Sequence, residues 1–105
     1  MSTIQYDKLV RDKIPEIIKA SGRCRYSYLS REDYLTRLDE KLNEELAEYQ
    51  ESKSLEELAD LLEVIRAVAV ARGSSIEEVE AIRRDKAEKR GGFEKRILLT
   101  EVIAE

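Results

Sequence analysis

The sequence predicts an all-α fold, a helical bundle built on an antiparallel helix hairpin, and three observations carry the prediction. Three serines each stand three residues ahead of an acidic residue, Ser30 with Asp33, Ser54 with Glu57 and Ser75 with Glu78. This is the pattern of a capped helix start. Behind each serine, leucine, isoleucine and valine recur every three or four positions, the period of one helix face. One proline and four glycines in 105 residues leave few of the breakers that a turn-rich β fold uses.

Taken in order, Pro15 suits the first turn of a short helix running through Ala20, with Gly22 as its stop. The first long helix is expected from about Arg31 to Ser52, with Leu35, Leu38, Leu42 and Tyr49 as its seam and Glu45 in a seam position where an apolar residue would be usual. The second, about Leu55 to Arg72, is apolar on most of its circumference and closes at Gly73. A helix of that kind is normally covered on more than one side. A homo-oligomer, dimer or tetramer, would supply the cover, as would a sandwiched position within one chain. The third, about Ile76 to Arg90, is expected to bury Ile76, Val79 and Ile82 before Gly91-Gly92. CRYSYL (24–29) and RILLTEVI (96–103) have the β-branched and aromatic content of short strands, and a two-strand pairing between them is a further expectation. Residues 1–105 read as one domain.

Composition removes several chemistries. The chain has no histidine, which excludes imidazole acid–base catalysis, His-ligated zinc and Glu-x-x-His di-iron sites. Cys24 is the single cysteine, so no internal disulfide forms, and a plain thiol is its expected role. The net charge of −4 argues against a nucleic-acid polymer as partner. No apolar run approaches a membrane span and the N-terminus lacks a secretory segment, so no membrane partner is expected and the cytoplasm is the expected location.

Charge along the chain is informative. EELAEYQESKSLEELAD (44–60) carries seven carboxylates and one lysine. Lys53 and Ser54 alone separate the two helices, which must therefore fold back on each other. Glu48 lies four residues before Ser52 and Glu57 three after Ser54, while Glu45 lies seven before and Asp60 six after. With a rise of ~1.5 Å per residue, each pair sits at nearly one height. Glu45, Glu48, Glu57 and Asp60 can thus converge on one pocket, with Glu44, Glu56 and Glu63 rotated away from it. Like charges converging near a helix C-terminus need a cation. An oxygen-only ligand set suits a hard ion, Mg²⁺ or Mn²⁺, shared with substrate phosphates. For Glu57 a capping role is equally available, because it holds the acidic position of the Ser54 box.

The complement is basic. RRDKAEKRGGFEKR (83–96) has seven basic residues against three acidic. Arg83, Lys86 and Arg90 share a helix face, where they favour the C-terminal dipole and would equally suit polyphosphate. Lys8, Arg11 and Lys13 of KLVRDK (8–13) are further candidates for the same substrate.

Glu44-Glu45-Leu-Ala-Glu48 followed by Glu57-Leu-Ala-Asp60 resembles the EExxE…ExxD signature of the MazG-like all-α nucleoside triphosphate pyrophosphohydrolases, a superfamily that includes phosphoribosyl-ATP pyrophosphohydrolases. YDKLVRDKIPEII (6–18) and KAEKRGGFEKRILL (86–99) resemble its short single-domain, house-cleaning branch. The interval between Glu48 and Glu57 is shorter than in many relatives. What the resemblance implies is a Mg²⁺-dependent hydrolase acting on a phosphoric anhydride, cleaving a nucleoside triphosphate between the α and β phosphates to give monophosphate and pyrophosphate. Glu45, Glu48, Glu57 and Asp60 would correspond to the metal ligands, with Glu44 and Glu45 as the catalytic carboxylates and Glu44 orienting or deprotonating water. Lys8, Arg11, Lys86 and Arg90 would contact substrate. The rival readings are a non-catalytic helical oligomerisation or regulatory module and a phosphoribosyl-ATP pyrophosphohydrolase.

Overall fold

Serine hydroxyls open three of the four helices among the described residues. In the computed structural model, which describes residues 2–104, a short α1 (Ile14–Lys19) precedes α2 (Arg31–Ser52), α3 (Leu55–Ala71) and α4 (Ile76–Arg90). Ser30, Ser54 and Ser75 accept the N–H groups of Asp33, Glu57 and Glu78 at 3.2, 3.3 and 3.1 Å. Each cap contributes about 1 kcal/mol by satisfying a donor that the helix itself leaves unpaired.

The helix ends are equally specific. Lys53 enters the left-handed region (φ 58°) and its N–H reaches Tyr49 O at 2.7 Å, stopping α2 with a single turn-closing bond. At the far end of α3, Gly73 (φ 84°) donates to Val70 O at 3.0 Å and Ser74 to Ala69 O at 2.8 Å. That reciprocal pair is the Schellman arrangement, and the positive φ is the reason glycine stands there. The two-residue link between α2 and α3 turns the chain back on itself. Arg31 Nη2 donates to Ala71 O at 3.3 Å, and Arg72 Nη2 lies 3.6 Å from Asp39 Oδ2. The start of α2 therefore meets the end of α3, as an antiparallel hairpin requires.

Leu38 of α2 and Val64 and Ala69 of α3 are the buried apolar residues among those described. Glu45 is buried with them, 7% exposed. Around this small centre the surface is open: the Cα radius of gyration is 18.9 Å, against ~13 Å for a close-packed domain of this length.

Two sequence expectations change here. Residues 24–29 and 96–103 form no strand. Ile97, Leu98 and Leu99 are 80%, 84% and 74% exposed, and strand propensity is realised only where a neighbouring ladder takes up the backbone groups. The apolar face of α4 is also less covered than its pattern implies, Val79 being 37% and Ile82 57% exposed with Ile76 half-buried. Of the other described helices it packs on α3 alone. No helix among the described residues is long and apolar enough to cross a membrane.

Candidate metal centre

Two carboxylate groups meet in the hairpin. Glu44, Glu45 and Glu48 can each bring an oxygen within 4.8 Å of the others, and so can Glu45, Glu57 and Asp60. Glu45 belongs to both. The four residues whose heights match across the turn therefore converge, two from each helix.

Burial and mutual repulsion both act on the group. Burial raises the Glu45 carboxyl above its ordinary value of 4.5, and Glu48, within hydrogen-bonding reach, raises it further. Glu57 is raised by desolvation first, then by the charges of Glu48 and Asp60. Glu48, exposed on α2, thus acts on one carboxylate of each helix. Such a group holds its negative charge poorly without a cation.

Among the described residues the orphaned side-chain atoms are Glu45 Oε2 and Glu57 Oε2, both buried and without a hydrogen-bond partner. Buried carboxylate oxygens normally have partners. Glu57 is the sharper case, because the capping role open to it in the sequence would send its carboxylate back to the Ser54 N–H. That N–H donates instead to Ser52 Oγ at 3.2 Å. The backbone of Glu57 serves the cap while its side chain points elsewhere. A hard divalent ion accepts oxygen donors of this type and number, so the residues present fit Mg²⁺ or Mn²⁺.

Cations border the group. Lys41 Nζ lies 3.5 Å from both Glu44 Oε2 and Glu45 Oε1. Lys8 Nζ lies 3.2 Å from Glu44 Oε1, and Arg11 Nη2 lies 2.8 Å from Asp60 Oδ1. Glu44 is half-buried, which alone would raise it, but the Lys8 hydrogen bond and the Lys41 and Lys8 charges outweigh desolvation and hold it below 4.5. Lys8 is correspondingly raised by Glu44. The two lysines thus favour the charged form of Glu44.

Of the sequence-derived residues, the structure brings Glu44, Glu45, Glu48, Glu57, Asp60, Lys8 and Arg11 together. It does not bring in Lys86 and Arg90. These line a separate cleft of about 830 Å³ with Arg83 and residues 91–94, none of them shared with the carboxylates. Sequence reasoning missed Lys41, although its spacing of three and four residues from Glu44 and Glu45 on one helix was the available signal. It also missed the clamp that Arg37 places on Asp7, donating to its carbonyl at 3.1 Å and its carboxylate at 3.4 Å. Cys24 is half-buried, its thiol 3.9 Å from Pro15 O.

No protein-family model matches the chain, and no solved structure matches it. The chain is 55% identical over 42 residues to an uncharacterized protein of Mycolicibacterium smegmatis, a match covering 39% of this chain and 43% of that protein. The aligned stretch thus spans less than half of either.

An acid whose pKa is higher in the folded state binds its proton more tightly there, so protonation favours folding. For Glu45 that stability is present at acid pH and is lost as pH rises from the ordinary value near 4.5 through the raised one. Without divalent ions, Tm should rise as the pH falls from 7 toward the ordinary carboxylate range. Glu45→Gln should melt higher than the parent at pH 7 and show less of this dependence, as followed by circular dichroism.

Proposed function

We propose that the chain is a divalent-metal-dependent nucleoside triphosphate pyrophosphohydrolase of the MazG-like type, releasing monophosphate and pyrophosphate, with clearance of the nucleotide pool as its role. The observation that carries this reading is the buried Glu45, whose Oε2 lacks a partner at the meeting point of the two carboxylate groups. A stabilising core would place an apolar residue there.

Glu45, Glu48, Glu57 and Asp60 would hold Mg²⁺ or Mn²⁺. When bound, the ion supplies Lewis acidity, lowering the pKa of water and offsetting phosphate charge. The chain's own residues do the rest. Glu44, held between Lys8 and Lys41, accepts a hydrogen bond from the attacking water and aims it. Arg11 and Lys8, on the rim of the group, neutralise phosphate oxygens. The Lys86 and Arg90 cleft carries phosphate or base only if a second chain brings it to the carboxylates.

The exposed apolar surface supports an oligomer. Leu55, Leu58 and Leu62 recur on one side of α3 and are 82%, 40% and 56% exposed. A second copy packed on this stripe would supply the cover that α4 does not reach. Light scattering should give a dimer or tetramer, and Leu58→Glu with Leu62→Glu should shift it to monomer; a monomeric parent would remove this part of the reading.

Incubation with a nucleotide panel and Mg²⁺ should yield monophosphate plus pyrophosphate. Glu45→Gln and Asp60→Asn should each lower kcat/KM by more than ~100-fold, beyond what loss of an outer hydrogen-bond partner of a metal ligand costs. Both should keep their helicity. Including phosphoribosyl-ATP in the panel separates that substrate from ordinary triphosphates. Turnover that persists in both variants contradicts the site, and an oligomer that cleaves nothing would favour a non-catalytic module.

A further inference from the structure

The segment ahead of α1 lays two cations on the carboxylate group, and the manner in which it is held says what they do. Arg37 of α2 grips Asp7 by carbonyl and carboxylate, and Asp7 sits in the left-handed region at φ 43°. Leu9 and Val10 are half-buried. The carbonyl of Arg11 accepts the Ile14 N–H at 3.0 Å as α1 begins. The backbone is thus fixed on both sides, while the side chains of Lys8 and Arg11 remain 53% and 60% exposed. They can re-aim without the segment moving.

The two ion pairs differ in what their loss leaves behind. Glu44 keeps Lys41 if Lys8 departs. Among the described residues Arg11 is the ion-pair partner of Asp60, one of the four converging carboxylates. The pair is close, at 2.8 Å, yet too exposed to be strong. A cation bound in that way holds the site only until a better one arrives.

We infer that Arg11 is an exchange counter-ion: it neutralises Asp60 while the site lacks a divalent cation, releases Asp60 when one enters, and turns its guanidinium to an anionic oxygen of the phosphate substrate. This rests on the divalent site proposed above. It makes metal and substrate mutually supportive, because the ion frees the group that the substrate then engages. An ammonium would hold Asp60 as a point charge, whereas the planar fork also suits the two oxygens of a phosphoryl group.

The test is Mn²⁺ titration of the full chain by calorimetry without nucleotide, joined to steady-state kinetics at saturating metal. Arg11→Ala should bind Mn²⁺ roughly two- to five-fold more tightly, the range set by a pair this exposed, while KM for the nucleotide rises. Arg11→Lys should return Mn²⁺ affinity toward that of the parent and recover only part of KM. Lys13→Ala, which removes a neighbouring charge paired with no carboxylate of the group, should shift Mn²⁺ affinity less. Unchanged or weaker Mn²⁺ binding in Arg11→Ala, beside normal binding by the parent, overturns the exchange and leaves the site standing. So does equal tightening by Lys13→Ala, or a KM that does not move. If neither the parent nor Arg11→Ala takes up Mn²⁺, the divalent site fails and the exchange with it.

Discussion

The structure turns on a carboxylate placed where a leucine would pack. Glu45 lies in the seam between α2 and α3, buried like Leu38 and Val64 but nearer the turn, beside Glu57 and Asp60, and its burial makes demands on the groups around it. A charge removed from water is costly unless compensated. The chain compounds that cost by gathering Glu48, Glu57 and Asp60 around it. What offsets it within the chain is modest: Lys41 at 3.5 Å on the same helix and the Arg11 pair on Asp60. The carboxylates are therefore under electrostatic load, and that load is the ground on which a divalent ion is proposed as their partner.

The hairpin supplies the rigidity that such a site needs. A two-residue link with Lys53 in the left-handed region fixes the register of α2 against α3, and register decides which carboxylates stand level. Ser52 and Ser54 then share the capping work between them, which leaves the Glu57 side chain free of it. Sites built on helices hold their geometry better than sites on loops. Stability and the gathering of carboxylates compete at the same positions.

Much of this was legible in the sequence, for reasons that can be named. Serine caps are local chemistry, so α2 and α4 begin and end where the pattern places them, and α3 ends one residue before the Arg72 boundary. The matching heights of Glu45 with Asp60 and of Glu48 with Glu57 follow from helix rise and a short turn, and the structure brings these carboxylates together. The strands did not form, because β content in 24–29 and 96–103 is only a propensity until a partner edge exists. The burial expected for α4 fails for a related reason: periodicity marks an apolar face but does not say what covers it. The placements of Lys8 and Arg11 against Glu44 and Asp60 are long-range and side-chain-specific, 36 and 49 residues apart in sequence, and no local pattern encodes them.

The most direct measurement of the central claim is anomalous diffraction from crystals grown with Mn²⁺. The account predicts one or more ions between α2 and α3, ligated by oxygens of Glu45, Glu48, Glu57 and Asp60 at about 2.0–2.3 Å, with the two orphaned oxygens among the donors. Manganese bound only elsewhere, with Glu45 still buried and unligated, would contradict it.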